Sequence, residues 1–222
     1  MDKFFFLKEN SVIDDKLIAS LVDKFDKIFI KKNYETNHFN TRELNSESIL
    51  EEQLFQIVMN KIHKKFEIIT NMTDLKFKKL WLIYSKSNSN DKSKVPYVPH
   101  IDKNRYLKAM IYLNDVSISN GPIHLGKAKN NIDIENIRIN LPHDYKLKKL
   151  NVIKDKDLEK NLIPMTGKAG DVIFFDTNTP HKAGSISEGY YRKILRFDFE
   201  RPSFIYKENF TKKLSNKLRL NL

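Results

Sequence analysis

The chain has no cysteine, which excludes disulfide bridges, thiolate nucleophiles and thiolate metal ligands. It also lacks any apolar run near the roughly 18 residues that a membrane-spanning helix needs. The apolar stretch Phe4–Leu7 is too short for the core of a signal peptide. Internal repeats and Arg-rich runs are absent as well. We therefore expect a cytoplasmic protein that has no membrane span.

The charge of the chain is strongly positive. Lysine and arginine number 40 against 28 aspartates and glutamates, which gives a formal net charge of +12. Such a charge attracts nucleic acid, anionic membrane surfaces or small anionic substrates. Because the lysines are spread along the whole chain, a generally lysine-rich composition explains the charge equally well. Nucleic acid is disfavoured as a partner because no Arg-rich run concentrates the charge.

Apolar residues at helical spacing predict two helices in the first third of the chain. One follows Asp14 and runs to Phe29, and the other is opened by a capping box at Ser48–Glu51 and runs to Phe66. Short aromatic and branched runs then predict strands at 4–7, 80–84, 106–113, 172–175 and 191–199. Many short strands after a helical segment predict a mostly β fold, a jelly-roll core with packed N-terminal helices.

The chain is long enough to form one domain with a sizeable core, since 40% of its 222 residues are hydrophobic and 11% are aromatic. We expect residues 1–74 to provide helical support, 75–200 to form the jelly-roll core and 201–222 to form a basic tail. Residues 127–161 are a long insertion rich in lysine and asparagine. Such irregular segments are typical of lids or binding loops.

The stretch His100-Ile101-Asp102 carries the clearest chemistry. In an extended chain alternate side chains point to the same side, so the imidazole and the carboxylate can converge. One more imidazole, for which His181 is the candidate, completes a set of two histidines and one carboxylate. That set occupies one face of an octahedral Fe(II) ion and leaves three positions open. Because His-x-Asp arises by chance in many proteins, three ordinary polar residues are the alternative.

An ordered series of motifs resembles a known family. It consists of His100-x-Asp102, Asn120-Gly121-Pro122-Ile123, Ala169-Gly170-Asp171-Val172-Ile173-Phe174-Phe175, and His181-x-Ala183-Gly184 followed by Arg192. Together these motifs resemble the Fe(II)/2-oxoglutarate-dependent dioxygenases, and most closely the phytanoyl-CoA hydroxylase-like branch. The resemblance covers residues 75 to 200, and the first 70 residues fit only as a strand followed by helices.

The resemblance implies a fold, a co-substrate and a reaction. It implies a double-stranded β-helix (jelly-roll, cupin-like) core in which His100, Asp102 and His181 ligate iron and form the catalytic centre. Arg192 would bind the distal carboxylate of 2-oxoglutarate, a task suited to the two parallel hydrogen bonds that guanidinium donates. Arg196, on the same side of the strand, is the alternative. The implied reaction uses O2 to hydroxylate a small organic substrate and releases succinate and CO2, and the basic composition favours an anionic substrate.

Two positions depart from the family pattern. Ile101 stands where relatives often carry glutamine, and Ala183 stands where they often carry a hydroxyl group. Both of those polar groups help to hold 2-oxoglutarate in the family, so other residues must replace them. Tyr84 and Lys108 are the candidates, and the alternatives are core packing for Tyr84 and a solvated face for Lys108. His124 is a further candidate to approach the site, whereas we expect Trp81 in the core and His38, His63 and His143 at the surface.

Two other functions compete with hydroxylation of a small molecule. An oxygenase acting on a protein or nucleic acid fits the charge, but the segment from Arg192 to Arg196 lacks the Arg-x-Asn-x-Thr-x-Arg pattern of the nucleic-acid demethylases in this superfamily. A non-catalytic jelly-roll binding protein would have lost its metal, and the complete set of His100, Asp102, His181 and Arg192 argues against that loss. The substrate and the oligomeric state are open.

Overall fold

Two antiparallel sheets form the body of the protein, seen in a computed structural model that describes residues 6–30, 40–87, 93, 95–126 and 134–200. The larger sheet has six strands, in the spatial order β1 (Phe6–Glu9), β7 (Val172–Asp176), β4 (Leu107–Tyr112), β9 (Tyr191–Glu200), β3 (Lys76–Lys86) and β2 (Asn40–Leu44). The smaller sheet contains β6 (Ile163–Pro164), β5 (Ile123–Leu125) and β8 (His181–Ala183), in that order.

The two faces of the larger sheet have different partners, and strand alternation in β9 shows the division. Leu195, Phe197 and Phe199 join the core formed with the N-terminal helices. Ile194 points to the other face and joins a second cluster with Ile123 of the smaller sheet. The sheets thus enclose a space between them, which makes the fold the jelly roll that the sequence predicts. We call the face toward the smaller sheet the inner face.

The helices α1 (Asp15–Ile30) and α3 (Gln53–Thr70) cover the outer face, and α2 (Ser46–Glu51) precedes α3. Their apolar stripes meet the sheet, as the periodicity predicts, and Leu21, Phe55 and Phe66 are among the fully buried residues. The predicted capping box is wrong in detail. The amide of Ser48 donates to the side chain of Asn45, which caps α2, and the chain breaks at Glu52 before α3 begins.

The N-terminal part is more than helical support, because β1 and β2 form the two edges of the larger sheet. The inserted segment contains α4 (Ile134–Ile139) and α5 (Lys156–Asn161). The predicted basic tail, residues 201–222, lies outside the described residues. Within the described part of the chain, no helix combines the length and apolar character required to cross a membrane.

Candidate functional site

The three side chains of the predicted metal set lie together between the sheets. One ligand atom from each of His100, Asp102 and His181 can be chosen so that all three atoms lie within 4.8 Å of one another. The two imidazole rings have centroids 4.5 Å apart, and both histidines are buried with 6% of their surface exposed. The arrangement can therefore hold a metal ion at a protected position.

Backbone pairing brings the two histidines together although they are 81 positions apart in the sequence (181 − 100). The amide of His100 donates to the carbonyl of His181 at 3.0 Å, and the amide of His181 donates back to the carbonyl of His100 at 3.1 Å. Residues directly opposite in an antiparallel pair point to the same side. The pairing therefore places both imidazoles on the side to which Asp102, two residues after His100, also points.

Hydrogen bonds fix which nitrogen of each imidazole is available. The Nδ1 atom of His100 lies 2.8 Å from the carbonyl oxygen of Val98, and that of His181 lies 2.9 Å from the carbonyl oxygen of Thr179. Because a carbonyl only accepts, Nδ1 carries a proton in each ring, so Nε2 is the nitrogen that offers a lone pair when the imidazole is neutral. Histidines that ligate metals are held in this way, with the second nitrogen donating to a fixed acceptor.

The charges around the set favour the protonation states that bind a metal. Burial, reinforced by the neighbouring His181, lowers the pKa of His100 to about 3, so its imidazole is neutral at neutral pH. Burial alone would raise the pKa of the Asp102 carboxyl, but the ammonium of Lys108 and both imidazoles hold it well below its usual range. A neutral imidazole and an ionised carboxylate are the forms that ligate metals.

Lys108 lies on the inner face of β4 and its ammonium pairs with the Oδ2 atom of Asp102. The residue is 6% exposed, so the alternative of a solvated face is wrong. The other carboxylate oxygen, Oδ1, faces the Nε2 atom of His181 at 3.8 Å. The lysine thus occupies one oxygen of the carboxylate and leaves the other toward the imidazoles. A contact of Lys108 with 2-oxoglutarate stays a prediction.

Arg192 begins the inner face of β9 and is 5% exposed. Its Nε and Nη1 atoms are buried without a hydrogen-bond partner among the described residues, and so is the hydroxyl of Ser85. Ser85 and Arg192 are directly opposite in the pairing of β3 with β9. Burial lowers the pKa of the Arg192 guanidinium, although arginine keeps its charge in proteins. Unpartnered buried donors are costly, so this pair fits an acceptor that the described residues do not supply.

Arg196, the predicted alternative to Arg192, already has a partner. Its Nε and Nη2 atoms donate to the two carboxylate oxygens of Asp198 at 2.9 and 3.0 Å. Its guanidinium also lies 4.8 Å above the ring of Trp81, and the Trp81 indole donates to Asp198 at 3.0 Å. Trp81 is therefore partly buried on the inner face as part of a polar cluster, and Arg192 is the arginine with unused donors.

Tyr84 does not reach the site. It packs on the outer face, where its ring lies 6.3 Å from that of Phe29 in α1. Successive strand residues point to opposite faces, so Ser85, and not Tyr84, lies on the inner face opposite Arg192. Sequence reasoning missed Ser85 because only the pairing of β3 with β9, which places Ser85 opposite Arg192, shows which residues of β3 point to the inner face.

The other histidines lie away from the metal set. His124 pairs with Lys182 in β8, on the face of the smaller sheet opposite to that of His181. His124 therefore faces away from His181, while burial, with Lys182 and Arg192 nearby, lowers the pKa of its imidazole. His63 is not a surface residue, since it stacks on Phe199 at 5.4 Å. His143 is exposed as predicted, and His38 lies outside the described residues.

Comparison with known protein families agrees with this geometry. The profile of the phytanoyl-CoA dioxygenase (PhyH) family matches residues 22–194, which is well over half of the chain. The chain belongs to this family. The match includes all three members of the metal set and Arg192. Among curated proteins no significant match was found.

Solved structures share the family fold at low sequence identity. EvdO2 from Micromonospora carbonacea var. aurantiaca is 16% identical with a TM-score of 0.65, covering 92% of this chain and 90% of its own. HygX from Streptomyces hygroscopicus, solved with nickel and 2-oxoglutarate bound, is 14% identical with a TM-score of 0.61, covering 90% and 84%. The epimerase SnoN, in complex with Fe3+, alpha ketoglutarate and nogalamycin RO, is 15% identical with a TM-score of 0.60, covering 90% and 82%.

Proposed function

We propose that the protein is an Fe(II)- and 2-oxoglutarate-dependent oxygenase that hydroxylates a small organic substrate and releases succinate and CO2. The observation that carries the proposal is the buried Arg192, whose Nε and Nη1 atoms have no hydrogen-bond partner among the described residues. It lies on the inner face that also bears Lys108, the partner of Asp102. A metal site alone fits many functions. A metal site together with a buried cation that lacks an acceptor fits a ligand with a carboxylate at one end and metal-binding oxygens at the other.

The iron would be held by His100, Asp102 and His181. These residues fit Fe(II) because they offer one negative carboxylate and two imidazoles whose Nε2 atoms are available as ligands. Two imidazoles and one carboxylate are the ligand set of non-haem Fe(II) oxygenases. HygX with nickel and 2-oxoglutarate bound, and SnoN with Fe3+ and alpha ketoglutarate, support the same pairing of metal and co-substrate on this fold. When bound, Fe(II) and 2-oxoglutarate would supply the electrons that activate O2, the oxidant, for oxygen transfer to a C–H bond.

The chain's own contribution is orientation and exclusion of water. The Nδ1 hydrogen bonds fix the imidazoles, and Lys108 fixes the carboxylate of Asp102. Phe175 packs its ring 5.5 Å from that of His181 and shields it on the side of the larger sheet. Arg192 and Ser85 would anchor the far carboxylate of 2-oxoglutarate and so direct its 2-oxo acid end toward the metal.

The test of the function is iron-dependent formation of succinate from 2-oxoglutarate, followed by a screen of small carboxylates, phosphates and phosphonates for stimulation. Products formed under isotopically labelled O2 should carry one labelled oxygen if the outcome is hydroxylation. The carbocyclase SnoK and the epimerase SnoN share the fold, so an unlabelled product would indicate a reaction of their kind instead. If no substrate led to succinate formation and the protein also failed to bind Fe(II), the proposed function would be wrong.

Removing the hydroxyl of Ser85 should weaken 2-oxoglutarate binding while leaving the ligand-free protein at least as stable. We expect Ser85→Ala to raise the KM for 2-oxoglutarate about tenfold, since a hydrogen bond to a charged group contributes roughly 1.5 kcal/mol or more. The melting temperature of the ligand-free protein should hold or rise, because the buried hydroxyl has no hydrogen-bond partner in the described part of the chain. Steady-state kinetics and thermal denaturation check the two effects.

Tyr84→Phe is the matched control for Ser85→Ala. It deletes a hydroxyl from the adjacent residue, which packs on the opposite face of the same strand. The KM for 2-oxoglutarate should stay within about twofold of the original value, a change of well under 1 kcal/mol. If both variants changed the KM equally, or if Ser85→Ala left it unchanged, Ser85 would have no part in holding the co-substrate.

A further inference from the structure

The inserted segment is attached to residues 99–101, next to Asp102, rather than standing apart as a lid. The amide of Ile101 donates to the carbonyl of Asn151 at 3.1 Å, and the Asn151 side chain donates to the carbonyl of Ile101 at 3.2 Å. The amide of Ile153 donates to the carbonyl of Pro99 at 2.8 Å. The extended backbone around His100 is therefore paired with the insertion on one edge and with His181 on the other.

The side chain of Ile101 fixes the same attachment. It points away from His100 and Asp102, is fully buried, and packs into an apolar cluster that the insertion supplies: Ile134, Ile153, Leu158 and Leu162. Glutamine, the residue that family members often carry here, would place an amide in this apolar cluster. The departure from the family pattern at position 101 thus goes together with the insertion that packs on it.

Arg138 of α4 connects the insertion to two of the ligand-bearing segments at once. Its Nε atom donates to the carbonyl oxygen of Asp102 at 3.0 Å. Its Nη2 atom donates to the carbonyl oxygen of Thr177 at 3.1 Å, and its Nη1 atom donates to the side chain of Asn178. Residues 177–180 form the turn that leads into His181. Arg138 as a whole is 2% exposed, so a charged residue is buried to make these bonds.

We propose that Arg138 is a positioning residue for the metal site, and that the described part of the insertion, residues 134–161, is a fixed brace which sets the distance between Asp102 and His181. The inference rests on the proposed function, because it assigns those two residues to one metal ion. The planar guanidinium donates from three separate nitrogens to three acceptors on two segments, whereas the three N–H donors of an ammonium all project from one atom. Lys108 holds the Asp102 carboxylate from the inner face of β4 while Arg138 holds the Asp102 backbone from the insertion.

Cobalt(II) binding to the full chain tests the inference without requiring turnover. We expect Arg138→Met to weaken Co(II) affinity about 10- to 100-fold, the range seen when residues that orient metal ligands are removed. The visible absorption of the bound Co(II) should change as well, because it reports the geometry of the ligands. Arg138→Lys keeps the buried charge. Its Co(II) affinity should lie between those of the unaltered protein and of Arg138→Met, since the donors of one ammonium replace those of three separate nitrogens.

Ile62→Val is the control for a purely structural effect. It trims a fully buried core residue in α3 on the outer face and should lower stability while leaving Co(II) affinity and spectrum unchanged. If Arg138→Met and Arg138→Lys lower the melting temperature but bind Co(II) with the affinity and spectrum of the unaltered protein, Arg138 is not a positioning residue and the inference is wrong. If the unaltered protein itself does not bind Co(II), the proposed function is wrong instead.

Discussion

Replacing His181 with alanine should reduce succinate formation to the level of the metal-free protein. The substitution removes one of three side chains whose ligand atoms lie within 4.8 Å of one another. Loss of a partner that merely orients a metal ligand costs about 10- to 100-fold in affinity, so loss of the ligand itself should exceed 100-fold. Iron content after dialysis and 2-oxoglutarate turnover at saturating Fe(II) measure the effect.

The fold should survive this change, because the bonds that pair His181 with His100 come from the backbone. His124→Ala is the matched control, since His124 lies one strand away on the opposite face of the smaller sheet. It should retain iron binding and turnover. Retention of both properties by His181→Ala, with a native circular dichroism spectrum, would mean that these three residues are not the metal ligands.

The metal set was predictable because its geometry is mostly local. Two of its members are separated by one residue in an extended stretch, and the period of a strand alone places them together. The third member, His181, needed the resemblance to a family, because no local rule links positions 100 and 181. Buried strands such as β7 and β9 were equally visible, since each is a run of aromatic and branched residues.

Side-chain partners were harder to predict because they depend on which face of its strand each residue points to and on contacts between distant parts of the chain. Tyr84 and Ser85 are adjacent in β3, and a shift by one residue exchanges the inner face for the outer. The sequence alone also allows Lys108 to be a surface lysine. The position of β4 between β7 and β9 buries it beside Asp102. Arg138 lies in a segment of weak periodicity, and its three acceptors are at least 36 positions away in the chain.

Replacing Arg192 with methionine should raise the KM for 2-oxoglutarate about 30-fold or more and leave Fe(II) binding intact. Truncating one partner of a buried, hydrogen-bonded charge pair costs about 2–5 kcal/mol, and each 1.4 kcal/mol is a factor of ten. Arg192→Lys should rescue little, because an ammonium cannot donate two parallel hydrogen bonds to a carboxylate. Steady-state kinetics with varied 2-oxoglutarate provide the measurement.

Thermal stability separates a binding role for Arg192 from a structural one. A ligand that binds only the folded state stabilises it by about 2.7 kcal/mol at 100 times its Kd, so 2-oxoglutarate with a metal ion should raise the melting temperature of the original protein. In Arg192→Met the part of that rise due to 2-oxoglutarate should shrink to about a third or less, since a Kd weakened about 30-fold leaves the ligand at only about three times Kd. The ligand-free protein should lose no hydrogen bond at Nε or Nη1, because neither atom has a partner among the described residues. Arg196→Met is the control: it breaks the bonds to Asp198 and should lower stability, yet keep the response to 2-oxoglutarate. The opposite pattern, with the response lost in Arg196→Met and kept in Arg192→Met, would transfer the co-substrate anchor to Arg196.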